Sequence, residues 1–147
     1  FSVAFIAYCL NQNHYHFLIK QIVDDGISTF IGRLANGYTK YFNAKHKRSG
    51  SLFQGPFQAI HIKSDHQLIQ LSCYINGNPE IHKISKAENW PWSSYSDYLE
   101  KRNGTLCEKK IVLNEFKSIT EYKNLTDSLI KDFAEQKDEI KESMLEY

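Results

Sequence analysis

The chain has 147 residues, of which 41% are hydrophobic, 14% aromatic and 24% charged, and its formal net charge is +1. This length suits one ordinary domain, and this composition excludes wholesale disorder. No run of about 18 apolar residues occurs, and the opening FSVAFIAYCL lacks the basic n-region of a signal peptide. We therefore expect a soluble, cytoplasmic protein without membrane association. The sequence starts with Phe1 in a strand-like run, so we interpret it as a fragment from which N-terminal elements can be missing.

Positive charge is concentrated in one stretch of the chain. Residues 26–64 contain no Asp or Glu, whereas acidic side chains outnumber lysines in residues 108–147. This segregation predicts that the basic stretch binds a polyanion, although a solvated helix face would show the same pattern. The basic side chains that we predict to make these contacts are Arg33, Lys40, Lys45, Lys47, Arg48 and Lys63.

Two apolar segments begin the predicted fold. Residues 1–10 are almost wholly apolar and rich in β-forming side chains, which predicts a strand buried on both faces. Residues 14–22 predict a second strand, in which the period of two places His14, His16 and Leu18 on one face. We expect these strands to pair as an antiparallel hairpin in the middle of a sheet.

A basic helix and a third strand are expected next. Apolar residues recur at helical spacing after Gly26, and Ser28 is a candidate N-cap. Side chains alternate again over residues 51–63, which predicts a strand, and Pro56 places the beginning of this strand at an edge or a bulge.

A second helix is expected from a capping box. Ser64 is followed three residues later by Gln67, the pattern in which each side chain bonds a backbone N–H of the first turn. Gly77 and Pro79 should end this helix, because glycine favours the position after a helix and proline biases the preceding residue away from helical angles.

The remaining elements complete an α+β prediction. Residues 90–99, WPWSSYSDYL, predict an aromatic turn that enters a short helix, and Ser118 with Glu121 forms a second capping box. We predict an α+β fold with a ferredoxin-like antiparallel sheet, helices on one face and extra C-terminal helices. Residues 1–106 would form the main domain, and residues 107–147 a helical extension of it.

Four polar residues are candidates for a chemical site. His14 and His16 project in parallel from one strand, so both imidazoles can reach one metal ion, although two ordinary histidines are the commoner explanation of such a pair. Tyr74 and Asn78 are one helical turn apart, which places a phenol and an amide oxygen on one side of a helix. Two imidazoles and an amide oxygen would leave open positions for Mg²⁺ or Mn²⁺ to bind a phosphodiester.

Four sequence blocks, in order, resemble a known family. These blocks are AYCLNQNHYHFLIK, YFNAKHKRSGSLFQGPFQAI, CYINGNP and WPWSSYSDYL. They are similar to segments of the single-tyrosine HUH endonucleases, specifically the REP-associated tyrosine transposases and their insertion-sequence relatives. The chain departs from the family text in two places: NQNH stands for MPNH, and Pro56 stands for an arginine.

This resemblance implies a site and a reaction. His14 and His16 match the histidine pair that binds the metal, Asn78 matches a position that can complete the metal site, and Tyr74 matches the nucleophile. The family cleaves and rejoins single-stranded DNA beside hairpins with Mg²⁺ or Mn²⁺, through a 5′-phosphotyrosine. We thus expect a bacterial enzyme that acts on nucleoid-associated DNA, as a monomer or a homodimer. The alternative is a non-catalytic DNA-hairpin-binding protein descended from such transposases.

Overall fold

The computed structural model describes residues 1–136 and confirms the predicted α+β class. Two strands, β1 (Val3–Leu10) and β2 (Tyr15–Gln21), form an antiparallel sheet. The helices of the described residues are α1 (Gly26–His46), α2 (Asp65–Ile81), α3 (Tyr95–Tyr98), α4 (Lys110–Leu113) and α5 (Ile119–Glu135), with a 3₁₀ turn at Ala87–Asn89. The expected extension over residues 107–147 is described only to residue 136, and its boundary stays a prediction.

The described residues group into two compact units. The α1 unit comprises Phe1–Ala4 and Lys20–Ile60. The α2–α5 unit comprises Phe5–Ile19 and the described part of His61–Tyr147. The candidate residues therefore divide by unit, because both histidines, the tyrosine and the asparagine belong to the α2–α5 unit, whereas most of the basic residues belong to the α1 unit.

In the α1 unit, the helix begins three residues earlier than predicted. Asp25 is the N-cap residue, with a left-handed φ of 55°, and its side chain makes no capping hydrogen bond. The Gln21 carboxamide oxygen instead accepts from the second backbone N–H of α1 at 3.2 Å. Gly26 lies so close to the Ser2 carbonyl that a Cβ would overlap it. The prediction of Ser28 as the N-cap is wrong, because these contacts fix the first turn upstream of it.

The strand predicted over residues 51–63 does not form. This segment contains no helix or strand, and most of its side chains are exposed. Gly55 has a φ of 114°, which no strand residue adopts, and Pro56 has no backbone N–H to donate to a ladder. Alternation of side chains is therefore not enough to predict a strand. A strand also needs a continuous row of backbone N–H donors and a neighbouring strand to pair with.

In the α2–α5 unit, irregular segments cover the second edge of β1. The backbone N–H of Leu10 donates to the Trp92 carbonyl at 2.8 Å, and the N–H of Ser94 donates to the Tyr8 carbonyl at 2.9 Å. Single bridges join Cys9 to Ser93 and Phe5 to Cys107. The expected position in the middle of a sheet is thus wrong for the described residues, because these bridges replace further strands.

Helix α2 begins as predicted and ends later than predicted. The Ser64 hydroxyl accepts from the Gln67 N–H at 3.2 Å, so the predicted N-cap is confirmed. The Gln67 side chain accepts from the N–H of Lys63, the residue before the N-cap, at 2.9 Å. The helix continues through Gly77 and Pro79 to Ile81, and the predicted end is wrong.

Tight packing explains the glycine within α2. A Cβ at Gly77 would lie 2.6 Å from the Cγ1 of Ile130, on α5. The absence of a side chain therefore lets α5 approach α2 closely, and this requirement, rather than a helix end, accounts for the glycine. The second capping box is also confirmed, because Ser118 accepts from the Glu121 N–H at 3.2 Å at the start of α5.

A buried polar network joins α2 to its neighbours. The Asn76 amide nitrogen donates to the Tyr122 hydroxyl at 2.9 Å, and the Ser94 hydroxyl donates to the Asn76 amide oxygen at 2.6 Å. Asn76, Ser94 and Tyr122 are all 0% exposed. Burial raises the pKa of Tyr122 well above its ordinary value, so its phenol stays protonated and can donate to Ser72, 3.3 Å away.

Candidate functional site

The two histidines lie at the start of β2, beside a polar turn. The backbone N–H of Asn11 donates to the His14 carbonyl at 2.9 Å, which closes the turn between the strands. The imidazole rings of His14 and His16 are 5.1 Å apart, centroid to centroid, at an angle of 85°. Leu18, two residues further along, is buried, and Tyr15 stacks on Phe17 at 4.6 Å. The two faces that the period of two predicted are therefore present.

Neighbouring amides fix the orientation of the His14 ring. Its Nδ1 lies 2.7 Å from the Asn13 carboxamide oxygen, and its Nε2 lies 3.0 Å from the Asn11 amide nitrogen. A carboxamide oxygen only accepts, so the hydrogen belongs on Nδ1, and the lone pair of Nε2 accepts from Asn11. Metal-binding histidines commonly have this arrangement, in which the distal nitrogen is held by an acceptor.

Asn78 faces the same turn from α2. Its side chain is 0% exposed, and its Oδ1 accepts from the Asn11 amide nitrogen at 2.6 Å. Among the described residues, its Nδ2 has no hydrogen-bond partner. The opposite orientation of the amide would direct two donors at each other, so Oδ1 is the atom that faces Asn11.

Tyr74 lies next to His16, one turn before Asn78 on α2. The Tyr74 and His16 rings are 5.9 Å apart at 76°, and the ring of Phe133, on α5, lies 5.2 Å from the Tyr74 ring at 88°. Tyr74 is only 3% exposed. The structure thus brings together all four residues that the sequence singled out for the chemical site.

The donor atoms at this site suit a divalent cation. In residues 1–136, no group of three or more His, Cys, Asp or Glu side chains could hold a metal ion, so any site must use other ligands. His14 and His16 offer neutral nitrogens, and Asn78 offers a hard oxygen whose orientation leaves its amide nitrogen without a partner. These three residues could hold an ion and leave positions open for a phosphate.

The predicted basic residues are all exposed. Five of the six lie on α1 or directly after it, in the α1 unit, and Lys63 directly precedes the N-cap of α2. Aromatic rings accompany the α1 residues: Lys45 lies 5.6 Å from the Tyr41 ring centroid, and Arg48 lies 5.8 Å from that of Phe42. A surface with exposed cations and partly exposed rings can contact both phosphates and unpaired bases.

Three residues near the site were not singled out by the sequence. Asn11 contacts two of the candidate ligands, Phe133 covers the tyrosine, and the His82 ring lies 6.1 Å from that of His14. The position of His82, one turn after Asn78, was a usable signal. Asn11 and Phe133 carried none, because Asn11 belongs to a polar turn of ordinary composition and Phe133 is far from the site residues in the sequence.

A comparison with known families identifies the family of this chain. The model of the IS200-like transposase family matches residues 1–78, more than half of the chain, and the matched part contains the histidine pair, Tyr74 and Asn78. The chain belongs to the IS200-like transposases, a family of DNA-binding, DNA-processing enzymes. No curated protein and no solved structure gave a match. Within residues 1–136, no helix is both long enough and apolar enough to cross a membrane.

Proposed function

We propose that this protein cleaves and rejoins single-stranded DNA beside hairpins, as a metal-dependent transposase of the REP-associated type. The observation that carries the proposal is the position of Tyr74, whose ring lies 5.9 Å from that of His16 and one turn before Asn78. A nucleophile and candidate metal ligands within one cluster are what phosphoryl transfer to a tyrosine requires.

His14, His16 and Asn78 would hold Mg²⁺ or Mn²⁺. When bound, the ion would neutralise charge on the scissile phosphate and make its phosphorus more electrophilic. The protein supplies the orientation: Asn13 holds the His14 ring through Nδ1, and α2 presents the Asn78 oxygen from a fully buried side chain.

Tyr74 would form the covalent intermediate. Its phenol oxygen attacks phosphorus, the bond to the 3′ oxygen breaks, and a 5′-phosphotyrosine and a 3′-hydroxyl result. The proton lost by the phenol balances the proton gained by the leaving oxygen. Since a phosphodiester replaces a phosphodiester, a second 3′-hydroxyl can reverse the step and join strands without an external energy source.

A second function is favoured by the burial of Tyr74. At 3% exposure, with His16 and Phe133 packed on its ring, the phenol can meet a phosphate only after neighbouring side chains move. A protein in which this movement does not occur would bind DNA hairpins without cleaving them.

An adduct assay distinguishes the two functions. We expect end-labelled, hairpin-bearing single strands to form a denaturation-resistant adduct with the protein in Mn²⁺, and Tyr74→Phe to abolish it. Tyr38→Phe makes the same chemical change at an exposed tyrosine of α1 and should leave the adduct intact. An undiminished adduct in Tyr74→Phe would refute the assignment of the nucleophile, and hairpin binding without any adduct would favour the second function.

A further inference from the structure

Asn11 connects two of the candidate metal ligands through a single nitrogen atom. Its Nδ2 is 3.0 Å from the His14 Nε2 and 2.6 Å from the Asn78 Oδ1. The lone pairs of these two atoms therefore converge on one point, where the Asn11 amide provides two hydrogens with partial positive charge. Both atoms are acceptors, so a cation beside them could be shared by the two residues.

While Asn11 donates to His14, the His14 imidazole cannot also bind a metal ion. A neutral imidazole has one unprotonated nitrogen with one in-plane lone pair, and here that lone pair accepts from Asn11. Coordination through Nε2 requires the same lone pair, so the Asn11 amide must turn away from His14 before the ion can bind.

The Asn11 side chain has a second orientation that its surroundings support. Rotation of the terminal amide exchanges its oxygen and nitrogen, and this torsion is broad and roughly two-fold. In the described orientation, the Cys9 thiol donates to the Asn11 Oδ1 at 3.5 Å. A thiol can donate to an oxygen or accept from an N–H, so the Cys9 sulfur suits either orientation of the amide.

We propose that Asn11 is itself a metal ligand, whose amide turns its oxygen toward the ion that His14, His16 and Asn78 hold. The inference rests on the metal dependence in the proposed function. It gives the first position of the NQNH turn a role: the amide nitrogen keeps His14 and Asn78 aligned before the ion binds, and the amide oxygen adds a hard ligand afterwards.

Mn²⁺ binding to the full chain without DNA tests this inference. The free ion would be followed by electron paramagnetic resonance, so no turnover is needed. We expect Asn11→Met, which removes both amide atoms at similar size, to weaken Mn²⁺ binding by about tenfold. Asn11→Asp should tighten it by about tenfold, because it adds a charged oxygen ligand. Gln12→Glu introduces the same charge at the neighbouring exposed position and should have a smaller effect.

The possible results separate the inference from the proposed function. Unchanged or tighter binding in Asn11→Met would show that Asn11 only competes with the ion, which overturns the inference and leaves the metal site intact. Equal tightening in Asn11→Asp and Gln12→Glu would also overturn it, because charge alone would then explain the effect. If the wild-type chain binds no Mn²⁺, or if His14→Ala binds it equally well, the metal site of the proposed function fails as well.

Discussion

The two long helices that carry predicted functional residues differ sharply in burial. In α1, only Gly26 and Ile31 are buried, whereas in α2 every residue from 72 to 79 is buried. The basic residues of α1 remain in solvent, where their charge can act on a polyanion. Tyr74 and Asn78 of α2 are instead held by packing on several sides, which suits groups that must keep a fixed geometry. The comparison separates an exposed basic helix from a helix that is fixed by packing.

Matched glycine substitutions would test this difference most strongly. We expect Gly77→Ala to destabilise the fold by about 1–3 kcal/mol, because its Cβ would lie 2.6 Å from Ile130. Gly37→Ala on α1 should stabilise it by about 0.5–1 kcal/mol, since nothing lies within 4 Å of the new Cβ and alanine favours the helix. Urea unfolding followed by circular dichroism measures both, and changes of the same sign would contradict the comparison.

Charge substitutions would test α1 as a binding surface. We expect Lys40→Gln with Lys45→Gln to weaken single-stranded DNA binding and to reduce the slope of log K against log salt by about 1.4, at about 0.7 per lost phosphate contact. The control, Lys117→Gln with Lys131→Gln, removes two exposed lysines from the acid-rich part of the chain. Binding isotherms at several NaCl concentrations measure the slope. An equal reduction of the slope in both double variants would contradict a specific role of α1 in DNA binding.

The smallest expected effect concerns an ion-pair cluster in the α2–α5 unit. Hydrogen bonds from Lys101 and Lys123 lower the pKa of Glu88 to about 2. A lowered carboxyl pKa stabilises the fold above the ordinary value of 4.5, and this contribution is lost as the pH falls through about 2. Because Glu88 is partly exposed, we expect Glu88→Gln to cost only about 0.5–1 kcal/mol at pH 7.

Unfolding measured from pH 7 to pH 2 tests this contribution. The wild-type protein should have a higher free energy of unfolding than Glu88→Gln at pH 7. This difference should shrink progressively below about pH 4.5, and the two free energies should converge near pH 2. A constant difference over that range would mean that the carboxylate charge contributes nothing.

Local sequence signals predicted much of the fold because they act over a few residues. The capping boxes at Ser64 and Ser118 form as expected, since each needs only its own first helical turn. The strand containing His16 also has the predicted faces. By contrast, the prediction that Gly77 ends the helix is wrong. This glycine is required by its contact with a residue of α5, which is more than fifty positions away in the sequence.

The main residues of the candidate site could be predicted from the sequence, but the hydrogen bonds that connect them could not. His14, His16, Tyr74 and Asn78 have characteristic spacings and text around them, and the structure brings them together. Asn11 lies only three residues before His14, but nothing in the sequence connects it to Asn78. Its role depends on two hydrogen bonds, one within the turn and one to α2, which only the folded chain shows.

The Asn76 network has a consequence for the direction in which α2 faces. Asn76 is two residues from both Tyr74 and Asn78, about 200° around the helix, so it lies on nearly the opposite side. Rotation of α2 about its axis would leave buried donors and acceptors of Asn76, Ser94 and Tyr122 without hydrogen-bond partners. An all-apolar contact would tolerate such a rotation. Hydrogen bonds on the back of the helix thereby set the angle at which the tyrosine and the amide meet the histidine pair.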